Sequence, residues 1–136
     1  PRLAFRDLEG YLRGFIDLVF EHGGRYYVLD WKSNHLGYTA SDYGPAELQA
    51  TMAEHSYHLQ YLLYSLAVDR YLGRRVPGYR YDTHFGGVLY LFVRGVRPGW
   101  VNADGTPAAV FHHRPTAATL ARLGALFARA PAKVLQ

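Results

Sequence analysis

Two apolar stretches joined by a glycine pair constrain this chain more than any other feature. Residues 12–21, Leu-Arg-Gly-Phe-Ile-Asp-Leu-Val-Phe-Glu, are apolar on both parities, the pattern of a strand buried on both faces. Residues 25–32, Arg-Tyr-Tyr-Val-Leu-Asp-Trp-Lys, are rich in aromatic and β-branched types that suit a pleated surface. Between them, His22-Gly23-Gly24 supplies the positive φ that a tight reversal needs. The pattern predicts an antiparallel hairpin closed over His22–Arg25, with Glu21 opposite Tyr26 and Asp17 opposite Asp30.

That register has a chemical consequence. Directly opposed residues share a face, with Cβ atoms roughly 4.5–5.5 Å apart. Lys32 lies two residues beyond Asp30, so it joins the same face. Two carboxylates and one amine then share a small patch, and a slip of one residue would undo it. Opposed like charges are destabilising. Ile16 and Leu18 flank Asp17, and Leu29 and Trp31 flank Asp30, which predicts burial of both acids and a further cost. Lys32 offsets one negative charge; a divalent cation would offset both. Mg²⁺ prefers carboxylate oxygens and water, usually with few protein carboxylates. Such an ion polarises a phosphoryl oxygen and acidifies a bound water. A lysine beside it can orient or deprotonate that water, or stabilise charge on the phosphate. The alternative is a structural ion-pair cluster at a sheet edge. Asp-x-Lys is a short and common string, so spacing alone favours that alternative.

Residues 33–44 are polar and contain glycine, as a loop would. Pro45 suits a first helical position, and helical periodicity runs from there to Leu72. Leu48, Met52, Leu59, Leu62, Leu63 and Leu66 fall on one predicted stripe, with a break expected near His55-Ser56 and a stop at Gly73. Residues 76–85 read as loop with a short extended piece at Tyr79 to Tyr81. Residues 87–94 read as a central strand, Val88 to Val93 being counted wholly apolar. Residues 95–107 are a surface loop, 109–113 a short edge strand, and Thr116 caps a last helix over 117–129. The order predicts an α/β (α+β) class: a small mixed β-sheet flanked by helices, in one domain spanning residues 1–136.

Composition narrows the chemistry. Cysteine is absent, which excludes disulfides, thiolate zinc sites and cysteine nucleophiles. The net charge of +4 suits a polyanionic partner such as nucleic acid, but the basic residues are scattered, and a solubilising surface explains them equally well. No apolar run approaches the roughly 20 residues of a membrane helix, and the first residues lack the apolar block of a secretory signal. The chain begins in mid-pattern without Met and reads as a piece of a longer protein. No G-x-x-x-x-G-K-[ST] string occurs, so any ATP use belongs elsewhere in the parent. His112 and His113 are adjacent and point to opposite faces, suiting packing or surface roles. His55 and His58 have a spacing that could hold a transition metal, although no further ligand is apparent. His84, just ahead of the third strand, suits a phosphate contact or a structural hydrogen bond.

Three strings decide between the readings. Gly14-Phe15-Ile16-Asp17, then Leu29-Asp30-Trp31-Lys32-Ser33, then Gln60-Tyr61-Leu62-Leu63-Tyr64 resemble the G-h-x-D, D-h-K-[ST] and Q-x-x-x-Y motifs of the RecB nuclease family, in order. That family lies within the PD-(D/E)xK nucleases. The likeness extends through Tyr57-His58-Leu59 and His84 to Phe92, and covers about residues 10–95. It implies a restriction-endonuclease-like core and a Mg²⁺-dependent exodeoxyribonuclease, the nuclease module of a helicase–nuclease that processes DNA ends and repairs double-strand breaks. Mn²⁺ or Ca²⁺ would substitute in binding. By this resemblance Asp17 and Asp30 are metal-binding acids, the backbone carbonyl of Trp31 is a third ligand, and Lys32 is the catalytic lysine. Gln60 and Tyr64, at i and i+4 on one helical face, would point toward Lys32 or a DNA phosphate. Tyr57, on the same face, is assigned to packing against the sheet. Implied partners are DNA and RecC- and RecD-like subunits, with no membrane and a cytoplasmic location. One departure stands out. The family draws a metal-ligating His from an upstream helix, yet no His precedes His22, and Pro1 to Leu12 is too short for that helix. The core is therefore expected to be N-terminally truncated, to bind metal weakly or be inactive alone, and to expose surface open to self-association. The competing functions are a non-catalytic module docking partner subunits and DNA, and a related AddA-like nuclease. Relatives that carry a cysteine-ligated iron–sulfur cluster are disfavoured by the absence of Cys.

Overall fold

A computed structural model describes residues 13–128. The expected strand start at Leu12, the helix end at Arg129 and the question of an upstream ligand helix all lie outside the described residues.

Four strands form one sheet: β1 (Leu18–His22), β2 (Arg25–Lys32), β3 (Phe85–Phe92) and β4 (Val110–His113), in that spatial order. β1–β2 and β3–β4 are antiparallel, whereas β2–β3 is parallel, so the sheet is mixed as predicted. A parallel pair cannot be joined by a hairpin. The crossover from β2 to β3 is made by α1 (Pro45–Glu54), α2 (Tyr57–Arg75) and the single turn α3 (Tyr81–His84). A final helix, α4 (Ala117–Ala128), packs on α2.

The β1–β2 turn is tighter than expected. Only Gly23 and Gly24 lie outside the strands, at φ 58° and 76°, and His22 pairs with Arg25. Two consecutive positive-φ residues match the right-handed strand twist. Glu21 faces Tyr26 and Leu18 faces Leu29, which is the predicted register.

The burial of the first strand is a correction. β1 begins at Leu18 rather than Leu12, and Leu18 and Val19, which point to opposite faces, are 43% and 40% exposed. Among the described residues, β1 is an edge strand with β2 as its one sheet neighbour. An apolar sequence on both parities reports what a strand is able to bury; what covers it is decided by other elements.

The core lies between the sheet and the crossover helices. Val28, Val88, Tyr90 and Phe92 of the sheet meet Tyr61, Val68 and Leu72 of α2, Leu48 and Met52 of α1, and Tyr43 from a 3-10 turn. The helical break falls where the sequence placed it, with Ser56 in the left-handed region at φ 56°. The predicted stripe crosses that break only in part. Leu66 is buried and Leu62 packs against the core, but Leu59 is 55% exposed, and α2 also buries Tyr61, Ser65, Val68 and Leu72.

Gly73 does not stop α2, which runs on to Arg75. The stop comes from Pro77, which forces the preceding Val76 into the extended region (φ −105°, ψ 113°). The extended piece expected at Tyr79 to Tyr81 is replaced by α3, and β3 begins at Phe85, two residues early. Thr116 caps α4 as expected, its hydroxyl accepting from the Thr119 amide at 3.1 Å. No helix among the described residues is long and apolar enough to cross a membrane.

Candidate active site

β2 carries Asp30 and Lys32 on the face that looks at α2, two residues apart as strand periodicity requires. The Lys32 ammonium lies 2.8 Å from Asp30 Oδ1 and 3.0 Å from Gln60 Oε1. The Tyr57 ring sits 4.0 Å from the same nitrogen and the Tyr90 ring 5.1 Å from it. Asp30 is only 4% exposed. Burial, above all, pushes its carboxyl above the ordinary value of 3.8; Lys32 pulls it down through a hydrogen bond and its charge, and the Asp17 charge adds to the rise. The net direction is upward, so one lysine does not fully compensate this carboxylate.

Asp17 precedes the first residue of β1 and is exposed, which corrects the expectation that it is buried. Its Oδ2 accepts from the Trp31 amide at 2.9 Å. Asp17 thus reaches β2 beside Asp30, on the continuation of the Leu18–Leu29 register. The amide and carbonyl of a strand residue project to the same strand edge. The Trp31 carbonyl therefore faces the side from which Asp17 approaches, while its indole is half exposed.

The helix contribution is a directed chain of hydrogen bonds. Gln60 Oε1 accepts from Lys32 and, at 2.9 Å, from the Tyr90 hydroxyl. Gln60 Nε2 donates to the Tyr64 hydroxyl at 3.2 Å, and that hydroxyl donates to the Phe15 carbonyl at 2.7 Å. Lys32, Gln60 and Tyr64 converge as the i, i+4 spacing predicts.

Two tyrosines need reassignment. Tyr57 does pack, with its ring 5.9 Å from that of Tyr90, but it also covers the Lys32 ammonium and donates to Asn34 Oδ1 at 3.3 Å. Tyr90 was counted among apolar residues. It is fully buried opposite Asp30, and burial holds its hydroxyl far above the usual range, so it stays a donor. A tyrosine inside a central strand is itself the signal, because a buried phenol usually finds a partner.

The histidines do not assemble a site. His55 ends α1, stacks on Tyr57 and contacts Asn34 at 3.2 Å, whereas His58 faces Tyr61 and Phe111. His84 Nδ1 accepts from the Arg80 amide at 2.9 Å, which makes its role structural. His112 Nε2 lies 3.0 Å from the Gly86 carbonyl, and His113 packs on Tyr61. Among the described residues, no three His, Cys, Asp or Glu side chains cluster. A donor set drawn from Asp17, Asp30 and the Trp31 carbonyl would be all oxygen, a chemistry that fits a hard divalent cation keeping much of its water and does not fit a thiophilic metal.

Comparison with known proteins agrees with this geometry. A family model described as the PD-(D/E)XK nuclease superfamily matches residues 2–132, and the chain belongs to that superfamily. Its mixed four-stranded sheet with flanking helices is the restriction-endonuclease-like α/β fold. At closer range it is similar to a RecBCD enzyme subunit RecB of Escherichia coli (strain K12), 47% identical over 128 residues and 94% of the chain. A RecB subunit of Haemophilus influenzae is 44% identical over 92% of the chain, and one of Mycolicibacterium smegmatis 43% over 95%. The chain spans 10%, 10% and 13% of the length of these three relatives.

Proposed function

We propose that this chain is the nuclease module of a RecB-type helicase–nuclease, hydrolysing DNA phosphodiesters with Mg²⁺ as an exodeoxyribonuclease in DNA end processing and double-strand break repair. The observation that carries the reading is the joining of Lys32 to both Asp30 and Gln60, with the Asp17 carboxylate bound to the amide of Trp31, which lies between Asp30 and Lys32 on β2. The cation would be held by the Asp17 and Asp30 carboxylates and the Trp31 carbonyl, with water completing its shell. When bound it supplies polarisation of a phosphoryl oxygen and a more acidic water. DNA, and RecC- and RecD-like subunits, are the proposed partners of the parent protein, and the cytoplasm its location.

The chain's own residues do the rest. Asp30 orients Lys32 and is in turn partly neutralised by it. Gln60 accepts a second hydrogen bond from the ammonium, so its charge has a fixed position next to the Asp30 carboxylate. A fixed positive charge stabilises the negative charge that grows on the phosphate as water oxygen bonds to phosphorus and the phosphorus–oxygen bond to one sugar breaks. The Tyr57 ring covers the ammonium and limits its exchange with bulk water.

Asp30→Ala in the full-length parent tests the assignment. The expected result is loss of Mg²⁺-dependent degradation by at least about a thousandfold, with ATP-driven unwinding retained. Degradation that survives the substitution would sink the nuclease reading.

A further inference from the structure

We propose that Tyr64 is a positioning residue for Asp17, and that the Gly14 and Gln60–Tyr64 motifs are two halves of one strut. The inference rests on the reading of Asp17 as a metal ligand and adds to it how that ligand is held. The segment 13–17 lies ahead of β1 and has no strand structure, and Asp17 is exposed. A carboxylate on such a segment is free to wander unless something fixes the backbone behind it. Two hydrogen bonds do so. The Trp31 amide binds the Asp17 carboxylate itself, and the Tyr64 hydroxyl binds the carbonyl of Phe15, two residues upstream.

The direction of the second tie is set from the core. The Lys32 ammonium can only donate, so the Gln60 amide turns its oxygen toward Lys32, where it also accepts from the Tyr90 hydroxyl, and its nitrogen toward Tyr64. Tyr64 accepts from that nitrogen and has its own proton left for Phe15. A Cβ at Gly14 would stand 3.0 Å from Tyr64 Cε1, tighter than an ordinary contact. Glycine at this position lets the ring lie flat against the segment it holds. The same chain of donors that fixes Lys32 therefore ends on the approach to Asp17.

Calorimetric titration of Mn²⁺ into the full-length parent and its variants, without nucleotide, tests the strut, with nuclease activity against metal concentration as a second readout. Tyr64→Phe keeps the ring and removes the tie; it should weaken Mn²⁺ binding about tenfold, the usual scale for a residue that orients a ligand. The activity it loses at low metal should return as metal is raised. Gly14→Ala, which leaves the phenol in place, should reproduce the weakened binding and guards against a Tyr64→Phe protein that fails to fold. Mn²⁺ affinity unchanged in both variants, with activity lost at every metal concentration, would overturn the strut and move Tyr64 to the substrate. Asp17→Ala separates the two ideas: if that variant binds Mn²⁺ like the unaltered protein, the metal-site reading itself fails.

Discussion

Lys32 has four neighbours that each address its charge differently: a carboxylate, an amide oxygen and two aromatic faces. The Tyr57 contribution is separable, because its ring and its hydroxyl do different things. The hydroxyl reaches Asn34, and the ring lies over the ammonium. A cation–π contact is worth roughly 0.5–2 kcal/mol, or about 2- to 30-fold in rate. Tyr57→Phe should therefore keep activity within about threefold, while Tyr57→Leu should lose about tenfold, as read by steady-state nuclease assays. Equal activity in both variants would reduce Tyr57 to packing. At this scale strand period placed Asp17, Asp30 and Lys32 on one face, but it was the resemblance to a nuclease family that singled them out and added Gln60 and Tyr64. The sequence was silent on Tyr57 and Tyr90, because an aromatic residue at a core spacing reads the same whether or not its ring or hydroxyl meets a charge.

At the scale of elements, the joint between α1 and α2 aims Tyr57 and Gln60. Ser56 holds a left-handed conformation there without a side-chain cap hydrogen bond. A β-branched residue is poorly tolerated in that region, at a cost of about 1–2 kcal/mol. Ser56→Val should lower the melting temperature accordingly, whereas Ser56→Gly should not. A valine variant as stable as the original would mean that the joint is not strained. The break near His55-Ser56 was legible from the length of the helical stretch, but which residues it would expose was not. Leu59 belongs to the predicted stripe by spacing and is exposed in the first turn after the left-handed residue, whereas Leu62 and Leu66 of the same stripe reach the core. The end of α2 was misread for a related reason. Gly73 is able to end a helix, but Pro77 acting on Val76 is obliged to.

At the scale of the whole molecule, the site lies at the sheet edge where β1 starts and β2 ends, so its charges sit between a packed core and an open flank. The raised proton affinity of Asp30 gives the stability of the metal-free protein a definite sign. A carboxyl whose folded pKa is raised contributes stability fully below its ordinary value of 3.8, and that contribution is lost as pH rises through the folded value. At neutral pH the ionised Asp30 is a cost that a cation removes. Mg²⁺ should consequently raise the melting temperature more at pH 7 than near pH 3.8, where the raised folded value keeps Asp30 largely protonated; at pH 7 the stabilisation is about 2.7 kcal/mol when free metal is 100 times its dissociation constant. A shift of equal size at both pH values would show that Asp30 is not the linked group. The sequence by itself determined the hairpin, its register and the mixed sheet, because these follow from local periodicities, turn residues with few alternatives and the order of elements. Only the tertiary structure decided that β1 is exposed, that Tyr90 reaches Gln60 and that Tyr64 reaches back to Phe15. Those contacts join residues 30 and 49 positions apart, and no local pattern encodes which distant group will fill a given space.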